Sequence, residues 1–112
     1  MSHNLANVAL AEIAAERARQ DAKWGEQNHP DGTGLAHDDT YARVARDACE
    51  IAASHGKCTY RLILNEEVAE AFAESDPAKL RARLVQVAAV AVAWIECIDR
   101  RTAATTEEVP RG

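Results

Sequence analysis

Three glutamates crowd into five residues of the run Asn65-Glu66-Glu67-Val68-Ala69-Glu70. On a helix, Glu67 and Glu70 stand three residues apart and lie side by side on one face. Adjacent carboxylates repel unless a cation lies between them. Ligation by oxygen alone suits Mg²⁺, which takes one or two carboxylates, several waters and the phosphates of a substrate. A solvated acidic helix face has the same spacing, so an E-x-x-E pattern by itself decides little.

A second group with chemical potential is Lys23-Trp24-Gly25-Glu26-Gln27. Trp24 could stack on a base, Gln27 could read its edge, and Lys23 could contact phosphate. The plainer alternative is that Trp24 anchors a helix end in the core. His29, His37, Asp38 and Asp39 are ligand types, but their spacing matches no zinc pattern and they read as an ordinary polar loop. Arg43 and Arg61 read as surface charges. Cys49, Cys58 and Cys97 are odd in number and include no C-x-x-C pair, which speaks against a disulfide framework or a thiolate zinc site. They are expected to be small buried apolar side chains in a reducing cytosol.

Four helices are expected to position these groups. The first spans about Leu5 to Lys23, with Leu5, Val8, Ala9 and Ile13 on one stripe. The loop Trp24–Ala36 follows, broken by Gly25, Pro30, Gly32 and Gly34. The second helix, Asp39–His55, starts at the good capping run Asp38–Thr40. It is expected to bury Tyr41, Val44, Ala48, Ile51 and Ala52, with Gly56 as its stop. Thr59 caps a third helix, Tyr60–Glu74, with Leu64, Val68 and Phe72 on one face. Asp76 then caps the fourth helix, Pro77–Arg101, with Pro77 at its first position. The centre of that helix, from Leu84 to Ile95, is apolar nearly all round and must be covered on every side. A homodimer or homotetramer is therefore expected. Residues 1–102 read as one all-α domain, and 103–112 as a polar, flexible tail.

Composition agrees with this class. The chain has 112 residues, and 24 of its apolar residues are alanines while only five are aromatic. Alanine favours helices and disfavours strands, which argues against a sandwich, barrel or parallel-sheet fold. A net charge of −5 argues against binding nucleic acid through a general basic surface. No signal-like segment opens the chain, and its longest apolar stretch, Val87–Ile95, is too short for a bilayer. A cytoplasmic protein with no membrane partner is expected.

The run Glu66-Glu67-Val68-Ala69-Glu70, a short Asp-Pro break, and Leu80-Arg81-Ala82-Arg83-Leu84-Val85-Gln86 together resemble the MazG-like all-α nucleoside triphosphate pyrophosphohydrolases. That superfamily pairs an E-E-x-x-E helix with an antiparallel helix carrying L-x-x-E-L-x-D. The block from Glu16 to Pro30, with Lys-Trp-Gly-x-Gln at its centre, is similar to phage and actinobacterial members. The resemblance extends from about Ile13 to Arg101. It implies a four-helix MazG-like bundle, an oligomer, and cleavage of a nucleoside triphosphate to the monophosphate and pyrophosphate. Glu67 and Glu70 would be Mg²⁺ ligands, and Glu66 would act near the attacking water as the catalytic carboxylate. Lys23, Trp24 and Gln27 would lie beside the nucleotide.

The second half of the metal site departs from the family pattern. Where Glu and Asp are expected, three apart, this chain has Arg83 and Gln86. A literal E-x-x-D occurs at Glu96 and Asp99. It lies roughly 20 residues beyond the turn, over about 20 Å too far along an antiparallel helix. Arg83 is expected either to pair with Glu67 or Glu70 in the metal's place, or to reach a phosphate directly. A charge pair of this kind is worth roughly 4 kcal/mol at an effective dielectric near 20. Gln86 stays a neutral oxygen ligand. The leading expectation is a Mg²⁺-dependent pyrophosphohydrolase weakened by Arg83 and Gln86. A protein of the same fold that sequesters a nucleotide without cleaving it is the second, and an oligomeric helical adaptor without a ligand is the third.

Overall fold

The computed structural model describes residues 2–108, all of whose regular structure is helical. Four helices follow one another: α1 (Ser2–Trp24), α2 (Asp38–Ser54), α3 (Tyr60–Phe72) and α4 (Pro77–Glu108). The chain falls into two compact units. Among the described residues, one combines 2–29 with 92–108, and the other is Pro30–Ala91. The 32-residue α4 contributes its first half to the second unit and its remainder to the first.

Helix starts obey local capping chemistry. Thr59 accepts a hydrogen bond from the Leu62 N–H through its hydroxyl, at 3.2 Å. Asp76 Oδ2 accepts from the Lys79 N–H at 3.0 Å, with Pro77 at the first helical position. At α2 the capping position belongs to His37, in a left-handed conformation without a side-chain cap. The Asp38 carboxylate instead turns back to the Leu35 N–H. Asp38 and Asp39 occupy the first turn, where the helix dipole favours negative charge. At the other end of α2, the Gly56 N–H meets the Ala53 carbonyl and the Lys57 N–H meets that of Ala52. These paired bonds and the left-handed Gly56 form a Schellman stop.

The second unit holds most of the core. Among the described residues, the buried hydrophobic ones are Ala9, Ala42, Ala45, Ala71 and Leu80, and all but Ala9 belong to Pro30–Ala91. Helices α2 and α3 pack against each other through the small side chains Ala42, Ala45 and Ala71. The segment before α2 is tied to the end of α3. The Gly34 N–H donates to the Phe72 carbonyl at 2.8 Å, and Thr33 Oγ1 donates to that of Glu74 at 2.6 Å. Gly34 has a positive φ, and a Cβ there would run into the Ser75 side chain, so glycine is required twice over.

Two expectations are corrected. Tyr41, Val44 and Ile51 are exposed, because the buried stripe of α2 is one residue out of phase with the large apolar one. Phe72 is also more than half exposed. Tyr41, Val44, Val68 and Phe72 instead line an open apolar cleft of about 310 Å³ between α2 and α3. Helix α4 continues to Glu108, where a stop near Arg101 is expected, since Ala103, Ala104 and Glu107 are good helix formers. The rest of the expected tail, residues 109–112, lies outside the described residues. No helix among the described residues is long and apolar enough to cross a membrane.

Candidate functional site

Helix α3 brings Glu66, Glu67 and Glu70 together, each half-buried. One ligand oxygen of each lies within 4.8 Å of those of the other two. The Thr59 cap fixes where α3 begins, and burial of Ala71 against α2 fixes its rotation. The three glutamates are thereby held in a partly dry place rather than on an open face. The consequences differ by residue.

Glu67 Oε2 is buried and has no hydrogen-bond partner among the described residues. Such an oxygen carries a desolvation cost that a donor or a cation would remove. Burial raises the Glu66 carboxyl above its usual range. A hydrogen bond with Cys49 opposes that shift, and the neighbouring Glu70 and Glu67 reinforce it. Glu70, the most thoroughly compensated of the three, accepts from Arg83 Nη1 at 2.9 Å. Arg46 Nε stands 3.6 Å from its other oxygen.

Arg83 reaches Glu70 because α4 is started by Asp76 and rotated by Leu80, which is buried. Arg83 lies three residues beyond Leu80, on the same side of the helix. Of the two roles expected for Arg83, the geometry has the ion pair with a site carboxylate. Gln86, one turn further, is exposed and makes no hydrogen bond among the described residues. The cluster sets three carboxylates against two guanidinium groups, and its oxygens could hold a divalent cation that prefers oxygen ligands.

No family model, curated protein or solved structure matches this chain. Its chemistry must be argued from its own side chains.

Lys23, Trp24 and Gln27 belong to the first unit. Lys23 Nζ sits 4.8 Å from the centre of the exposed Trp24 ring, a cation–π contact. Trp24 and Gln27 line a mostly polar cleft of about 450 Å³ with Arg17, Gln20, Asp21 and His29. Trp24 is 60% exposed, so it is not a core anchor. Glu96 pairs within its own helix with Arg100, at 3.8 Å. Arg43 and Arg61 are exposed.

Two participants escape the sequence reading. Arg46 flanks Glu70, and the Cys49 thiol acts on the Glu66 carboxyl. Both continue the buried stripe of Ala42 and Ala45 along α2, at helical spacing. Assigning the contact face of α2 to these alanines, rather than to its larger side chains, would have found them. The expectation that all three cysteines are buried also fails. Cys58 is exposed, because it lies in the short connection after α2.

Proposed function

We propose that this chain is a MazG-like nucleotide-binding protein that cleaves a nucleoside triphosphate slowly to the monophosphate and pyrophosphate, using Mg²⁺. The observation that carries this reading is the buried, unpaired Glu67 Oε2 inside a cluster of three carboxylates. An unsatisfied anionic oxygen among like charges is what a cation site looks like before its cation.

In this reading Glu67 and Glu70 would hold the cation, Glu70 once its arginines turn towards phosphate. Bound Mg²⁺ would neutralise the triphosphate and polarise a water for in-line attack. Glu66, whose carboxyl burial raises above its usual range, would be the group that exchanges a proton with that water. Arg83 and Arg46 bring planar forks suited to phosphate oxygens. In their own unit, Trp24, Gln27 and Lys23 offer a nucleotide a ring, an amide and a cation, and in the other unit Gln86 would supply a neutral oxygen. Self-association into a homodimer or homotetramer belongs to the same reading, supported by the exposed apolar side chains of α2, α3 and α4.

The Arg83–Glu70 ion pair favours a second reading, in which the pocket sequesters a nucleotide without cleaving it. An arginine already seated on a site carboxylate lowers the negative charge available to a metal. Incubation with canonical and modified nucleotides plus Mg²⁺, followed by mass spectrometry, separates the two. Monophosphate and pyrophosphate that disappear with EDTA and with Glu70→Ala support the enzyme. Retention of an intact nucleotide in EDTA supports sequestration. A protein that neither retains nor converts any nucleotide refutes both.

A further inference from the structure

The thiols of Cys49 and Cys58 lie 3.7 Å apart, sulfur to sulfur. Cys49 is half-buried on α2, and Cys58 is exposed in the connection to α3. A disulfide needs about 2.05 Å between sulfurs, so the pair must close by less than 2 Å. That connection can give way. It is short and solvent-facing, and Gly56 at its start has open space around the position of a Cβ.

We propose that Cys49 and Cys58 form an oxidation site, which a peroxide converts to an intramolecular disulfide. The Cys58 sulfur, which faces solvent, attacks one peroxide oxygen. The O–O bond breaks, a first water leaves, and Cys58 becomes a sulfenic acid. The Cys49 sulfur then attacks the sulfenic sulfur. The S–O bond breaks, and the hydroxyl leaves with the Cys49 proton as a second water. Two thiols and one peroxide give one disulfide and two waters, so sulfur is oxidised and peroxide oxygen reduced in balance.

The bond closes a ring between α2 and the start of α3, in the same unit as the glutamate cluster. It also changes Cys49, one of the groups that act on the Glu66 carboxyl. The pair is thus a point at which oxidation reaches the carboxylates, although disulfide formation itself does not depend on any nucleotide chemistry.

The test treats the full-length protein in its native state with stoichiometric hydrogen peroxide, blocks free thiols, and maps peptides without reduction. The expected product is one cross-linked pair joining Cys49 and Cys58. Titratable thiols fall from three to one, with Cys97 still free, and dithiothreitol restores all three. Cys58→Ser, a change at an exposed position, should leave Cys49 reduced under the same treatment. Recovery of Cys58 as sulfinic or sulfonic acid beside an unmodified Cys49 would overturn the proposal. So would a cross-link through Cys97, or three thiols that stay reduced.

Discussion

Arg83 and Glu70, thirteen residues apart in the chain, meet at 2.9 Å across the turn that separates α3 from α4. The contact fixes the register of the two helices. Position 83 of α4 lies opposite position 70 of α3. The pair is only partly dry, with the Glu70 side chain 13% exposed and that of Arg83 41% exposed. An ion pair so open to water contributes about 1 kcal/mol or less. A cation and a phosphate arriving together could part it without threatening the fold.

Glu67 gives the most direct test of a cation site. Glu67→Gln removes the buried charge while keeping its shape. Without Mg²⁺ the variant should be more stable by about 1 kcal/mol, raising its melting temperature by about 4–8 °C. Added Mg²⁺ should raise the melting temperature of the native protein by mass action, with little effect on the variant. Equal responses of the two proteins in differential scanning fluorimetry would take Glu67 out of the site.

Glu66 makes stability depend on pH in a defined direction. Its carboxyl is raised above the usual 4.5, first by burial. The folded protein therefore holds this proton more tightly than the unfolded chain does. The stability linked to that proton is fully present below pH 4.5 and is lost as pH rises through the raised folded value. Glu66→Gln is neutral at every pH, so its stability advantage over the native protein should grow from pH 4.5 towards neutrality. Urea midpoints that run parallel for the two proteins across that range would contradict the assignment.

The α2–α3 cleft offers a test of the proposed self-association. Tyr41, Val44 and Phe72 line it and are 68%, 59% and 55% exposed, an unusual cost for a lone chain. Light scattering at micromolar concentration should give the mass of a dimer or tetramer, and Val44→Asp with Phe72→Ser should lower it to that of one chain. A single-chain mass for the native protein would end this line of argument.

What could be read from the sequence was local, and what could not was the meeting of helices. Thr59, Asp76 and Gly56 announce helix ends because capping is short-range chemistry, and each acts where expected. The face of α2 was misread because Tyr41, Val44 and Ile51 form a convincing apolar stripe. The close approach of α3 instead selects the alanines beside them. That one-residue phase error also hid Arg46 and Cys49. The Glu67–Glu70 spacing was legible, but the missing partner of Glu67 Oε2 was not, since burial of a single oxygen depends on packing.

Position 83 is where the two functional readings part. Arg83→Glu with Gln86→Asp would set an acidic pair on α4 opposite Glu67 and Glu70, completing the carboxylate quartet of the MazG-like pattern. The Arg83–Glu70 contact supports this opposition at one of its two positions. Without a cation the double variant should be destabilised, because five carboxylates would then crowd together with Arg46 as the guanidinium left beside Glu70. With Mg²⁺ it should regain that stability and bind the ion more tightly than the native protein does. It should also raise or create pyrophosphohydrolase activity, since two cations need the negative charge that Arg83 now cancels. Calorimetry with Mg²⁺ and product analysis on both proteins make the comparison. If the variant folds in Mg²⁺ but neither binds it more tightly nor cleaves any nucleotide, the site is not a pyrophosphohydrolase centre. The ion pair at Glu70 would then be the finished structure of a binding pocket.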